Sequence, residues 1–205
     1  MAYHKAANKT KERLTDHAIK LFARRGYDAV TVDEIVKAAK LTKGAFYHHW
    51  PSKDDCLSEI HLSFVDYAHG RFAAIMEQST DPDELIRALM GELFEQIRDH
   101  RNRVVVLWDT RRSLPKAKSA LVESKKDDIR HFFAQAIEMG QKQKIFDSSH
   151  DPRVAAQGIF GMCMWAYQWY DPKGPKTHKE IADGFADLVL AGLHHAPDRR
   201  TSEAR

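Results

Sequence analysis

Long apolar runs are missing from this 205-residue chain: no stretch of about 18 or more residues is apolar and free of charge, so no membrane span is expected. Residues 1–14 lack the apolar stretch of a secretory signal, which points to a cytoplasmic location. Cysteine is scarce. Cys56 and Cys163 stand far apart, each inside a helix-like segment, which is neither a disulfide framework nor a metal-ligand spacing and fits a reducing compartment. Alternation of apolar and polar residues bounded by turn signals is nearly absent. Catalytic signatures are absent too: there is no His-Glu-x-x-His, Gly-x-Ser-x-Gly, P-loop or Gly-x-Gly-x-x-Gly. Among the twelve histidines, His48-His49 and His194-His195 are adjacent pairs whose members point different ways on a helix. No catalytic residues, metal site or cofactor are therefore expected, and an enzyme is a rival reading only.

What the chain does contain is 43% hydrophobic and 30% charged residues, the balance of a folded protein with one large or two small domains. The charge is unevenly placed. Residues 1–53 hold 11 Lys/Arg against 5 Asp/Glu, whereas the remainder hold 21 against 24. A basic head on a slightly acidic body suits a polyanion-binding module, because phosphate backbones reward clustered cations.

The seven prolines and ten glycines fall mostly between periodic stretches, so the chain reads as all-α with nine helices. A first helix runs from about Asn8 to Arg25, with Leu14, Ala18, Leu21 and Phe22 as its stripe and Gly26 ending it. Thr31 and Glu34 form a capping box for a short second helix, Val32 to about Ala39. Thr42 caps a third, Lys43 to His49, and Pro51 and Ser52 precede a long fourth, Lys53 to about Gln78. Helices follow at Asp81-Pro82 to Asp99, Asn102 to Arg112 and 116 to about 140, the last with Leu121, Ile129, Phe132, Phe133 and Ile137 inward. The eighth, Pro152 to Tyr170, is apolar on nearly all sides and demands cover. The ninth runs from a Thr177 cap to about His194, with Ile181, Phe185, Leu188, Val189 and Leu193 on a wide apolar face. A polar tail, 196–205, is expected to be disordered.

Two short helices joined by a three-residue turn make a helix-turn-helix over about residues 32–50. In that motif the second short helix enters the major groove, with its N-terminal side chains against base edges. Thr42, Lys43 and Ala45 hold those positions, and the Thr42 hydroxyl with the Lys43 and Gly44 amides suits a phosphate oxygen. Lys43 is long enough for a guanine N7 or O6, or for a phosphate. Tyr47 and His48 follow one turn later, Phe46 and Trp50 face inward, and Lys53 is a second phosphate candidate.

Residues 31–53, TVDEIVKAAKLTKGAFYHHWPSK, resemble the signature of TetR-family transcriptional regulators. That pattern has a Thr before the second helix, Ile-Ala-x-x-Ala-Gly-Val-Ser through the turn, then Gly-x-x-Tyr-x-His-Phe and a Ser-Lys. Val36 replaces a small residue, Lys40 the usual turn glycine and Trp50 a phenylalanine. The resemblance implies a DNA-binding domain over 1–53 and a ligand-binding and dimerisation domain over 54–195. Its DNA contacts would fall on Thr31, Thr42, Lys43, Gly44, Ala45, Tyr47, His48, His49 and Lys53, on a near-palindromic double-stranded operator.

The same resemblance implies a homodimer in which the eighth and ninth helices of two copies form a four-helix bundle. Residues 161–175, GMCMWAYQWYDPKGP, followed by Ile181-Ala182, are similar to the subgroup that responds to acyl-CoA thioesters from lipid, aromatic or sterol catabolism. That subgroup reads Asn-Trp-x-x-Arg-Trp-Tyr-x-Pro-x-Gly here, where this chain has Met164 and Gln168 at the Asn and Arg positions. The candidate ligand set is Trp108, Arg112, Phe132, Met162, Trp165, Gln168 and Trp169. Arg111, Lys116, Lys118, Lys125, Lys126 and Lys173 are further cations for a phosphate-bearing ligand. A lipophilic ligand without phosphate is the competing class. A helical adaptor that does not bind DNA is the rival from outside transcription, and steep salt dependence of DNA binding separates the two.

Overall fold

The computed structural model describes the backbone of residues 2–194 and the side chains of residues 9–110 and 112–194. The tail 196–205 and His195 lie outside the described residues. The helices are α1 (Ala2–Arg25), α2 (Val32–Ala38), α3 (Lys43–His49), α4 (Lys53–Met76), α5 (Pro82–Asp99), α6 (Arg101–Asp109), α7 (Lys116–Lys142), α8 (Pro152–Met164), α9 (Ala166–Trp169) and α10 (His178–Leu193), with a 3-10 turn at Arg111–Ser113. These are the nine expected helices, the eighth being interrupted at Trp165. Trp165 keeps helical dihedrals (φ −60°, ψ −18°), and the Gln168 amide donates three residues back to its carbonyl (3.1 Å), so the interruption is a local change of hydrogen bonding.

Local chemistry sets the boundaries. Gly26, at φ +79°, ends α1 in a backbone conformation only glycine adopts freely. Thr31 accepts from the Glu34 amide (3.3 Å) while Glu34 accepts from the Thr31 amide (2.8 Å), and Thr177 and Glu180 repeat this capping box on α10. After α2 the Leu41 amide reaches Val36 O (2.8 Å) and the Lys40 amide reaches Lys37 O (3.1 Å), closing a Schellman motif with Lys40 in the left-handed position at φ 52°. A lysine where glycine fits best costs on the order of 1 kcal/mol.

The residues form two compact units, one holding residues up to 67 with 100–125, the other 68–99 with 126 onward. In the first, α1 packs on α2, α3 and α6, burying Leu14, Ala18, Phe22, Ile35, Phe46 and Trp50. There the early part of α7 is tied to α4 by ion pairs Lys118–Asp55 and Lys125–Asp66. His61 Nε2 donates to Thr110 Oγ1 (2.9 Å), whose hydroxyl donates to Val106 O (2.6 Å), so two buried polar side chains are joined in one hydrogen-bonded chain.

In the second unit α5 is central, packing on α10, α8 and α9 through Leu85, Leu89, Leu93 and Phe94. Glu92, 4% exposed, receives Arg71 (Nη2 2.8 Å) and the Gln96 amide (3.1 Å), which compensates its burial. At the end of α7 Gly140 lies against Phe146, and an isolated antiparallel bridge joins Phe146 to His194. Leu121, expected inward, turns outward at 48% exposed, and Leu188, on the wide apolar face expected of the last helix, is 67% exposed. On α10 the buried positions are instead Ala182, Ala186, Leu190 and Leu193, because a 3.6-residue period puts these small and branched side chains on one side and Leu188 on the other. Among the described residues no helix is long and apolar enough to cross a membrane.

Candidate functional site

The basic head presents one exposed face. Thr42 caps α3 by accepting from the Ala45 amide (3.2 Å), and Phe46 and Trp50 anchor the other side of the helix at 0% and 2% exposure. Trp50 Nε1 donates to Glu59 (2.9 Å), which settles the polar end of its indole. Once these anchors fix the rotation of α3, helical spacing sends Thr42, Lys43, Gly44, Tyr47 and His48 to solvent, with Tyr47 52% exposed. Ala45 and His49 are half-buried. Burial, then the neighbouring His48, lowers the His49 pKa, so its ring favours the neutral form more than an ordinary histidine does. Thr31 is exposed at the start of α2, where its hydroxyl is engaged with Glu34.

Lys43 and Lys53 are both engaged, in different ways. The Lys43 ammonium sits 2.8 Å from Asp33 Oδ1, with both side chains mostly exposed, and the hydrogen bond to Asp33 raises the lysine pKa. Sequence reasoning did not single out Asp33; the signal was a carboxylate ten residues before a lysine across a tight turn. Lys53 Nζ donates to Tyr27 O (3.0 Å) and Val30 O (2.8 Å) and lies 4.0 Å from the centre of the Tyr27 ring. Two of its three protons brace the loop between α1 and α2. Tyr27 donates its hydroxyl to Asp54, which extends the brace. Burial, then Asp54, drives the tyrosine pKa upward and keeps it protonated.

The candidate ligand residues divide between the units. Trp108 and Arg112 belong to the first, and Phe132, Met162, Trp165, Gln168 and Trp169 to the second. Phe132 joins an aromatic group with His69 (5.2 Å) and Phe72 (6.4 Å). Met162 is half-buried, whereas Trp165, Gln168 and Trp169 are exposed. Trp169 lines an open apolar groove of about 470 Å³ with Tyr170, Pro175, Ile181, Gly184 and Phe185. Five of these residues were not in the expected ligand set, and four of them, Pro175, Ile181, Gly184 and Phe185, meet Trp169 because a loop and a second helix fold back onto it. Of the expected cations, Lys118 and Lys125 are paired with Asp55 and Asp66, and Lys126 is 2% exposed. The Arg111 side chain lies outside the described residues.

On α8 and α10 the apolar cover stops short. Val154 is 70% exposed, Trp165 64% and Leu188 67%, and a Cβ placed at Gly158, Gly161, Gly184 or Gly192 meets nothing within 4 Å. The cysteines offer no chemistry: burial pushes the thiols of Cys56 and Cys163 up to about 12, so neither is a thiolate at neutral pH. No group of three or more metal-ligating side chains occurs among the described residues.

Residues 14–60 match the model of the tetR family of bacterial regulatory proteins, and residues 79–193 match the tetracyclin repressor-like C-terminal domain. The chain belongs to the TetR family. TetR-family members are transcriptional regulators, not enzymes. The chain is 26% identical over 187 residues to the HTH-type transcriptional repressor KstR2 of Mycobacterium tuberculosis, covering 91% of this chain and 94% of that protein. The Rhodococcus jostii KstR2 is 29% identical, with 89% and 90% covered. The solved structure of the ketosteroid transcriptional regulator KstR2 of M. tuberculosis superposes with a TM-score of 0.82, at 26% identity and 91% and 95% coverage. AibR, solved in complex with isovaleryl coenzyme A and operator DNA, superposes with a TM-score of 0.81 at 25% identity, with 90% and 99% covered.

Proposed function

We propose that this TetR-family protein is a repressor that binds a near-palindromic operator as a homodimer in the cytoplasm and is released by an acyl-CoA thioester. The observation that carries the DNA part is the exposed face of α3, where Thr42, Lys43, Gly44, Tyr47 and His48 stand together on a helix locked by Phe46 and Trp50. With Ala45, His49 and Thr31 around it, this face is the proposed base- and phosphate-contacting surface. Lys53 contributes chiefly by bracing the loop behind α2.

Dimerisation is supported by the uncovered Val154 on α8 and Leu188 on α10, which leave large apolar side chains in water on helices that belong to one unit. A second copy applied about a twofold axis covers them and gives the assembly two α3 helices for the two operator half-sites.

The acyl-CoA assignment draws on AibR, a neighbour over nearly its whole length. Phe132, Met162, Trp165, Gln168 and Trp169, all of the second unit, are the proposed ligand residues. A ligand that binds the DNA-incompetent arrangement more tightly shifts the population and frees the operator. Helix α4, which contributes residues to both units, is the proposed lever. A gel-shift titration tests this: operator affinity falls as an acyl-CoA is added, with free CoA and the free acid as controls. Unchanged affinity at saturating acyl-CoA refutes the ligand class. Release by the free acid alone favours the lipophilic reading.

A further inference from the structure

We propose that Asp33 and Lys43 act together as a reader of one G·C base pair in each operator half-site. The inference rests on the reading of α3 as the recognition helix and adds a residue from α2 to it. Asp33 is not needed for the cap of α2, since Thr31 and Glu34 form that box between themselves. Its carboxylate, 65% exposed, instead meets the Lys43 ammonium at 2.8 Å, across the turn and beside the exposed face of α3.

The pair presents a donor next to an acceptor at a fixed separation. In a G·C pair the major groove presents guanine O6, an acceptor, next to the cytosine N4 amino group, a donor. Those two atoms are hydrogen-bonded to each other, so they lie about 2.9 Å apart. The Lys43 Nζ to Asp33 Oδ1 separation matches that spacing, so both contacts form in register without breaking the ion pair. Lys43 donates to O6, and Asp33 accepts the outward N4 proton. A second ammonium proton reaches guanine N7, which lies beside O6. A T·A pair offers the same order of acceptor and donor through thymine O4 and adenine N6, but there the thymine methyl group stands where N7 would be. C·G and A·T reverse the order and set like groups against each other. The expected ranking is G·C above T·A, and both above the reversed pairs.

The ion pair also works against indiscriminate binding. When Lys43 is drawn to a phosphate instead, it brings the Asp33 carboxylate against the like charge of the DNA backbone, which costs affinity. Asp33 is thus a specificity-determining residue, lowering affinity for bulk duplex while raising it for the matched site.

The test is selection of bound duplexes from a random pool with the wild-type chain, Asp33→Asn and Lys43→Gln, each checked for folding by circular dichroism. The wild-type motif is expected to carry one G·C column per half-site, preferred about tenfold or more over the reversed pair. That column becomes degenerate in both variants while the other columns persist. Asp33→Asn is also expected to bind bulk DNA more tightly, with a salt slope steeper by about one phosphate contact. If Asp33→Asn does not fold, Asp33→Ser carries the same test with an oxygen still in the first turn of α2. A motif that Asp33→Asn or Asp33→Ser leaves unchanged overturns the inference while the regulator reading stands. A wild-type chain that enriches no duplex overturns that reading and this one with it.

Discussion

Replacing Lys53 with Met separates two roles that a lysine at the start of α4 can have. The ammonium donates to Tyr27 O and Val30 O at 3.0 and 2.8 Å and lies over the Tyr27 ring, while Tyr27 itself is 7% exposed. Each hydrogen bond from a charged donor contributes about 1.5–3 kcal/mol. Lys53 is only half-buried, so solvent competes for its protons and about half that value is retained. Two such bonds and a weakened cation–π contact come to about 2 kcal/mol, since methionine keeps the apolar stem but donates nothing. For a chain of this size the melting temperature is expected to fall by about 6 °C, read by circular dichroism or calorimetry. The salt dependence of DNA binding should stay as in the wild type, because a brace neutralises no phosphate. If melting is unchanged and the slope of log K against log salt drops by about 0.9, Lys53 is a phosphate contact and the brace argument fails.

Lys40→Gly relieves the left-handed strain at φ 52° and gives back part of the gain as unfolded-chain entropy, for a net stabilisation of about 0.5 kcal/mol by chemical denaturation. Gly140→Ala would drive a methyl group into the Phe146 ring, which is 1% exposed, and is expected to cost about 1–3 kcal/mol by the same measurement. Glu34 is held down to about 2 from 4.5, first by the Thr31 amide and then by Arg25. Its contribution is present above pH 4.5 and lost as pH falls toward 2, so Glu34→Gln should flatten the acid limb of the stability curve across that window. Leu188→Glu puts a charge into the uncovered face of α10 and should leave the chain monomeric in sedimentation while its helicity is kept. A dimer unaffected by this change would place the interface elsewhere.

Much of the DNA-binding head was legible because its signals are local. Thr31 with Glu34, Thr42 and Gly26 mark helix ends through hydrogen bonds spanning three or four residues, and the turn at Lys40 follows from the spacing of two short helices. Identity and spacing alone place such features. The rotation of α3 was also readable, since Phe46 and Trp50 are the side chains water rejects and Tyr47 and His48 fall opposite them. The body yielded less. A nearly all-apolar helix declares that it needs cover without saying from which direction, so the exposure of Leu188 and Leu121 depended on which neighbours α10 and α7 found.

The order of the helices, their caps and the helix-turn-helix were determined by the amino-acid sequence itself, because each rests on contacts within a few residues of chain. The Lys43–Asp33 pair, the seating of Lys53 on two carbonyls, the groove beside Trp169 and the unclad side of α8 and α10 were decided by tertiary structure. Each joins residues from different elements, and a charge or an apolar ring carries no label naming the distant group it will meet.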